Sequence, residues 1–124
     1  MVTASGLPAT LSVVIPSYRS SHLTEVLASV VGLDPERLVV VDSSPVEPEP
    51  LDDGIRRVWS PDRLNPAEAR NRGARSLRSD YLLFIDSDVV LTDRARAFVR
   101  EVLNDPDHGR DLVSGIYVTD RSRN

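Results

Sequence analysis

The chain contains no cysteine and no lysine, because all fifteen of its basic residues are arginine. The first absence excludes disulfide bonds and thiolate metal sites, and the second excludes any mechanism that depends on a lysine. No apolar run approaches the roughly 18 residues that span a membrane, and the amino end lacks the layout of a signal peptide. The sequence therefore predicts a cytoplasmic protein without a transmembrane segment.

What remains is sufficient for one folded domain. The 124 residues are 40% hydrophobic and 27% charged, which predicts a single domain over residues 1–124 with its core at about 11–118. The net charge of −4 argues against nucleic acid as a partner, because non-specific binding to nucleic acid needs a basic surface.

Strand and helix patterns alternate along the chain. Apolar runs predict strands at residues 11–17, 37–42, 55–59, 81–86 and 112–118. Helical spacing predicts helices over about 21–31, from 66 to about 77, and from 92 onward. Ser20 or Ser21 can cap the first helix, and Gly32 ends it. The order β-α-β-β-α-β-α-β predicts a three-layer α/β/α fold with a mostly parallel sheet, whose weak third strand lies near an edge.

The second helix has the clearest start signal. Asn65 is a favourable N-cap, proline follows it, and Glu68 completes a capping box. The helical spacing places Asn71 on an apolar stripe with Ala74 and Leu77. We therefore expect Asn71 to face the sheet, where it must find hydrogen bonds, and to serve structure more than ligand contact.

The most informative stretch is residues 81–88, YLLFIDSD, in which five apolar residues end in two carboxylates. The apolar run is typical of a buried strand in a parallel sheet. Asp86 and Asp88 then stand at its carboxyl end, the edge at which open α/β sheets bind ligands. Two acids placed there need a cation, a proton or polyol hydroxyls, so a phosphate-plus-metal site is the first hypothesis.

Two other strand ends should meet at the same edge. The first strand supplies Ser17 and Tyr18, and the second supplies Asp42 and Ser43. For Ser17 and Ser43, an equally good interpretation is that polar residues mark where a strand reaches solvent. The pair Asp86 and Asp88 is more than a turn requires.

Four segments together resemble the family-2 glycosyltransferases of the GT-A fold. They are residues 13–18 (VVIPSY), 39–44 (VVVDSS), 69–73 (ARNRG) and 84–88 (FIDSD). They stand in the family's order and span roughly residues 11–91. The resemblance implies the amino-terminal, donor-binding half of a truncated GT-A domain. The implied reaction transfers a sugar from a UDP-, GDP- or dTDP-linked donor to an acceptor hydroxyl.

The resemblance also implies how a nucleotide is held. Pro16, Ser17 and Tyr18 match the segment that cradles the base, with Tyr18 stacking on it. Asp42 matches an acid that hydrogen-bonds the base, although Ser43 stands where many members carry a second acid.

The matching of the acid pair implies a metal site. Asp86 and Asp88 match the DxD motif, in which Asp86 binds the ribose or the metal's water shell and Asp88 binds Mn²⁺ or Mg²⁺. Arg70 matches a neighbour of the diphosphate or base. A diphosphate facing two carboxylates would be repelled unless a hard cation bridged them, and both ions prefer oxygen ligands.

The sequence identifies no catalytic residue. Family members have longer catalytic domains, whose later half supplies the acceptor groove and a general base. None of the acids after Asp88 stands in a recognisable base motif. We therefore expect that a partner completes the acceptor half or that the chain self-associates through an exposed sheet edge.

Two other functions stay open. One is a non-catalytic nucleotide-sugar-binding or interaction module. The other is a haloacid-dehalogenase-type phosphatase, because residues 86–91 (DSDVVL) resemble its nucleophile motif. That family places the motif on its first strand and usually requires a lysine, whereas this motif follows the fourth strand. A Rossmann dehydrogenase is disfavoured because no G-x-G-x-x-G follows the first strand.

Overall fold

The computed structural model of the chain describes residues 9–105. Its elements are, in order, β1 (Leu11–Ser17), α1 (Leu23–Val31), β2 (Arg37–Asp42), β3 (Ile55–Trp59), α2 (Pro66–Ala74), β4 (Tyr81–Phe84) and α3 (Asp93–Asn104). The four strands form one sheet in the order β3-β2-β1-β4, and every pair is parallel. The predicted order of elements is confirmed as far as α3. The predicted strand at 112–118 lies outside the described residues.

Helices cover both faces of the sheet, as predicted. On one face, Val13 and Ile15 of β1 pack with Val26 of α1 and Leu103 of α3. On the other face, α2 packs through Ala69 on a second cluster that includes valines from β1 and β2. β1 and β2 are apolar on both faces because a helix covers each side. None of the helices between residues 9 and 105 is long and apolar enough to cross a membrane.

The helix α2 approaches the sheet most closely at Gly73. A Cβ atom built there would lie 2.3 Å from Val14 Cγ1 and 2.9 Å from Val41 Cγ2. The buried residues of α2 are Ala69 and Gly73, whereas Asn71 is exposed. The predicted stripe through Asn71 is therefore wrong, because the absence of a side chain at Gly73, and not an apolar side chain, decides which face meets the sheet.

The helix ends differ in how well the sequence predicted them. The capping box of α2 is confirmed, since the Glu68 amide donates to Asn65 Oδ1 at 2.9 Å. The predicted serine cap of α1 is wrong. His22 occupies the N-cap position without a side-chain hydrogen bond, and Ser20 Oγ donates to the Ser87 carbonyl at 2.9 Å. Gly32 ends α1 as predicted, in a right-handed conformation.

The strand β4 lies at an edge of the described sheet and is only half covered. Leu82 and Phe84 are 39% and 42% exposed, so the prediction of a fully buried strand is wrong for these two residues. They stand in register with Ser12 and Val14, on the face that carries α2. Because α2 packs over β1 and β2, it leaves this part of β4 open.

Candidate functional site

The carboxyl ends of the strands meet around β1. The chain passes from β1 to β2 and β3 on one side, and β4 lies on the other side of β1. Such a reversal of strand order opens a crevice at the carboxyl ends, which is where ligands bind in open α/β sheets. In this register Ser17 lies beside Asp42, and Pro16 beside Val41. The structure therefore brings together the ends of β1 and β2 that the sequence singled out.

A serine that sequence reasoning missed joins the first three strand ends. The Ser44 hydroxyl accepts a hydrogen bond from the Arg19 amide at 3.0 Å, and its carbonyl accepts one from Trp59 Nε1 at 2.9 Å. The Ser43 amide donates to the Ser17 carbonyl at 3.1 Å. These contacts fix the loops after β1 and β2 against the end of β3. Ser44 ends one of the segments that resemble the family, but nothing in that segment indicates these contacts, so its role could not be predicted.

The carboxylate of Asp42 is buried, with 3% of the residue exposed. Its Oδ1 atom accepts a hydrogen bond from the Ser44 amide at 2.8 Å, which is the geometry of an Asx turn. The side chain thus shapes the loop after β2, whatever else it binds. Ser17 and Ser43 are buried as well, so neither marks a point at which a strand reaches solvent.

Two arginines lie over the ring of Tyr18. The guanidinium carbon of Arg63 is 4.3 Å from the ring centroid, and that of Arg19 is 5.4 Å from it. Tyr18 is itself 36% exposed. Arg19 has a φ of 51°, a left-handed conformation that non-glycine residues adopt at a cost. Neither arginine could be predicted, because nothing in the sequence distinguishes them from the other thirteen basic residues.

The two acids lie in the turn that follows β4. The Val89 amide donates to the Asp86 carbonyl at 3.1 Å, which closes a turn containing Ser87 and Asp88. Both acids are exposed. The Ser20 hydroxyl bonds the carbonyl of Ser87, so this turn is tied to the loop after β1. The turn with Asp86 and Asp88 and the loop that carries Tyr18 therefore lie at the same edge of the sheet and are joined by a hydrogen bond.

Arg70 is placed beside the first of these acids. Its Nη2 atom lies 3.9 Å from Asp86 Oδ1, with the side chains 44% and 62% exposed. An ion pair this open contributes little to stability. Both groups therefore stay available to a ligand at the edge.

The donor atoms of the acid pair suit a metal that arrives together with phosphate. No three potential ligands among histidine, aspartate and glutamate cluster within the described part of the chain. Magnesium sites, however, often use only one or two carboxylates and complete their coordination with water and substrate phosphates. Asp86 and Asp88 supply two exposed, hard oxygen donors, and so fit a hard divalent cation of this kind.

A parallel sheet with helices on both faces and a strand-order reversal defines an open α/β domain, and the two acids stand at the edge where such domains bind ligands. The profile of the family described as glycosyl transferase family 2 matches residues 12–119. That match covers most of the sequence, and the chain belongs to this family. The predicted family membership is thereby confirmed.

A solved structure shares the fold. The crystal structure of S. aureus TarS, residues 1–349, superposes with a TM-score of 0.58 at 20% sequence identity. The match covers 77% of this chain and 32% of that one, so the chain spans about a third of the neighbour's length. Together with the family match it confirms the predicted α/β fold of the GT-A type. No curated protein matches the sequence.

Proposed function

We propose that this chain binds a nucleotide diphosphate sugar, with a divalent metal ion, for transfer of the sugar to an acceptor hydroxyl. The observation that carries the proposal is the turn after β4, which holds two exposed carboxylates next to the Tyr18 segment. The family match over residues 12–119 supports the class of reaction. The donor carries UDP, GDP or dTDP, and residues 1–124 act as one donor-binding domain.

The nucleotide is held from three loops. Tyr18 stacks on the base, and Pro16 and Ser17 shape the segment that positions its ring. Asp42 faces the base from the end of β2, with part of its carboxylate already used by the loop. Arg70 neighbours the diphosphate. Its partial exposure and its distance from Asp86 allow it to exchange that carboxylate for a phosphate.

The metal is held by Asp88 and Asp86, as Mn²⁺ or Mg²⁺. When bound, such an ion neutralises the diphosphate and stabilises it as a leaving group. In this proposal Asp86 binds the ribose or the metal's water shell, and Arg70 limits its repulsion of the phosphates. No residue between 9 and 105 is assigned as the base that deprotonates the acceptor.

The first test is a calorimetric titration of the chain with UDP, GDP and dTDP, each with and without Mn²⁺. We expect one nucleotide to bind, and its affinity to rise when the metal is present. Failure of all three nucleotides to bind would contradict the proposal. Release of phosphate from a generic aryl phosphate would instead favour the phosphatase alternative.

Turnover separates a transferase from a module that only binds. The second candidate function is a module that binds a nucleotide sugar and does not transfer it. Hydrolysis or transfer from the donor whose nucleotide binds supports the transferase. Metal-dependent binding without turnover, with acceptor alcohols supplied, supports the binding module.

Replacing Tyr18 with alanine should weaken nucleotide binding by about 1–3 kcal/mol, the scale of one base–aromatic stack. Tyr18→Phe is the matched control, because it retains the ring and should retain most of the affinity. Both constants come from the same titration in Mn²⁺. If the wild type binds inorganic diphosphate as tightly as it binds the nucleotide, Tyr18 does not contact a base.

A further inference from the structure

On the basis of the proposed function, we propose that Arg63 covers the ring of Tyr18 in the free protein and binds the donor's diphosphate once a base has displaced it. Arg63 would then couple binding of the base to binding of the negatively charged diphosphate. Arg63 would thus contact the ligand although it lies outside the four segments that resemble the family.

The contact between Arg63 and the ring of Tyr18 occupies a surface on which a base would stack. The Arg63 guanidinium lies 4.3 Å from the ring centroid, the distance of a stacked cation–π pair. Only 36% of Tyr18 is exposed, and a second guanidinium, that of Arg19, lies over the same ring. A base that stacks on the ring face under Arg63 must therefore displace that guanidinium, which is the nearer of the two.

Within the described part of the chain, the charge of Arg63 has no acidic partner. Two other arginines do have one, since Arg70 lies near Asp86 and Arg96 bonds Asp93. Among residues 9–105, no carboxylate lies within 4.0 Å of the Arg63 guanidinium. A guanidinium binds phosphate oxygens through paired, charge-assisted hydrogen bonds, which are stronger than its contact with a ring. The displaced side chain thus has a better partner in a diphosphate than the one it leaves.

Arg63 is placed at the correct edge to make this exchange. It lies in the connection from β3 to the N-cap of α2. Because β3 runs parallel to β4, this connection and the acid turn lie at the same edge of the sheet. Its side chain is exposed to solvent. Arg19 is more constrained, because its backbone is left-handed and its amide is bonded to Ser44.

Removing the guanidinium should therefore have opposite effects on two ligands. In Arg63→Ala the ring is uncovered, so a free nucleoside should bind about two- to fivefold more tightly, the equivalent of an exposed cation–π contact. The nucleoside diphosphate should bind about threefold more weakly or worse, because it loses a charge-assisted contact. The preference for diphosphate over nucleoside should fall about tenfold.

The experiment measures both dissociation constants in Mn²⁺, for uridine, guanosine and thymidine and for UDP, GDP and dTDP. Arg63→Lys retains the charge and should retain most of the preference for diphosphate. Arg72→Ala removes the same charge from an exposed position on α2 and should change neither constant. Equal factors of change for nucleoside and diphosphate in Arg63→Ala would overturn the inference.

A second readout needs no nucleotide. The ring proton signals of Tyr18 in the free protein should shift between wild type and Arg63→Ala, because the guanidinium leaves the ring. Unchanged signals would overturn the inference even if nucleotides bind as proposed. If the signals shift but the wild type binds no nucleotide, the stacking of Arg63 on Tyr18 is correct and the proposed function is wrong. The proposed contact between Arg63 and a diphosphate is then wrong as well.

Discussion

Replacing Asp88 with alanine is expected to abolish the manganese-dependent part of nucleotide binding while the fold stays intact. Asp88 is exposed, and it lies in the turn after β4 outside both core clusters. Its removal should therefore change the free energy of unfolding by no more than about 0.5 kcal/mol. The loss in metal affinity should be larger than the ~10- to 100-fold cost of losing a residue that merely supports a metal ligand.

The measurement compares nucleotide affinity with and without Mn²⁺ in wild type, Asp88→Ala and Asp53→Ala. Asp53 is exposed in the loop before β3, away from the acid turn, and controls for the change in net charge. We expect the manganese effect to persist in Asp53→Ala and to vanish in Asp88→Ala. An unchanged manganese effect in Asp88→Ala would remove Asp88 from the metal site.

Replacing Gly73 with alanine is expected to destabilise the protein by about 1–3 kcal/mol, the usual cost of an overpacked core. The added Cβ would lie 2.3 Å from Val14 and 2.9 Å from Val41, so the helix α2 must move away from the sheet. Alanine gains about 1 kcal/mol of helix propensity over glycine. A 2.3 Å approach to the fully buried Val14 outweighs that gain, because relieving it disturbs packing between the helix and the sheet.

Urea unfolding of Gly73→Ala and Asn71→Ala measures this effect. Asn71 lies on the same helix and is exposed, so its replacement should be neutral or stabilising by up to about 0.7 kcal/mol. Equal stability of Gly73→Ala and wild type would show that α2 does not rest on the sheet through this residue. Arg70, one turn before Gly73, should also move from Asp86 when the helix shifts, which would weaken nucleotide binding in the folded variant.

Local signals in the sequence predicted most of the described fold. The apolar runs of β1 and β2 and the capping box at Asn65 each follow from neighbouring residues, and the structure confirms them. The acid pair was equally visible, because two carboxylates after an apolar run are unusual within the chain. Pro16, Ser17 and Tyr18 could be placed at the same edge once the strands were taken to be parallel.

What the sequence could not predict depends on contacts between distant segments. The exposure of Leu82 and Phe84 depends on where α2 lies, and that position depends on the bare backbone at Gly73. The stacking of Arg63 on Tyr18 likewise joins the connection before α2 to the loop after β1. The spacing of apolar residues predicts neither the position of α2 on the sheet nor the stacking of Arg63 on Tyr18, because both depend on how the elements pack together.

The two borders of the sheet differ in what they offer to another strand. β3 carries Arg56 and Arg57, and charged side chains on an outer strand discourage pairing with other chains. β4, at the opposite border of the described sheet, carries Leu82 and Phe84 on its open side. A newly added strand would gain both backbone hydrogen bonds and apolar cover at β4, but would meet positive charge at β3. In the sheet formed by residues 9–105, a further strand would therefore pair more favourably beside β4 than beside β3.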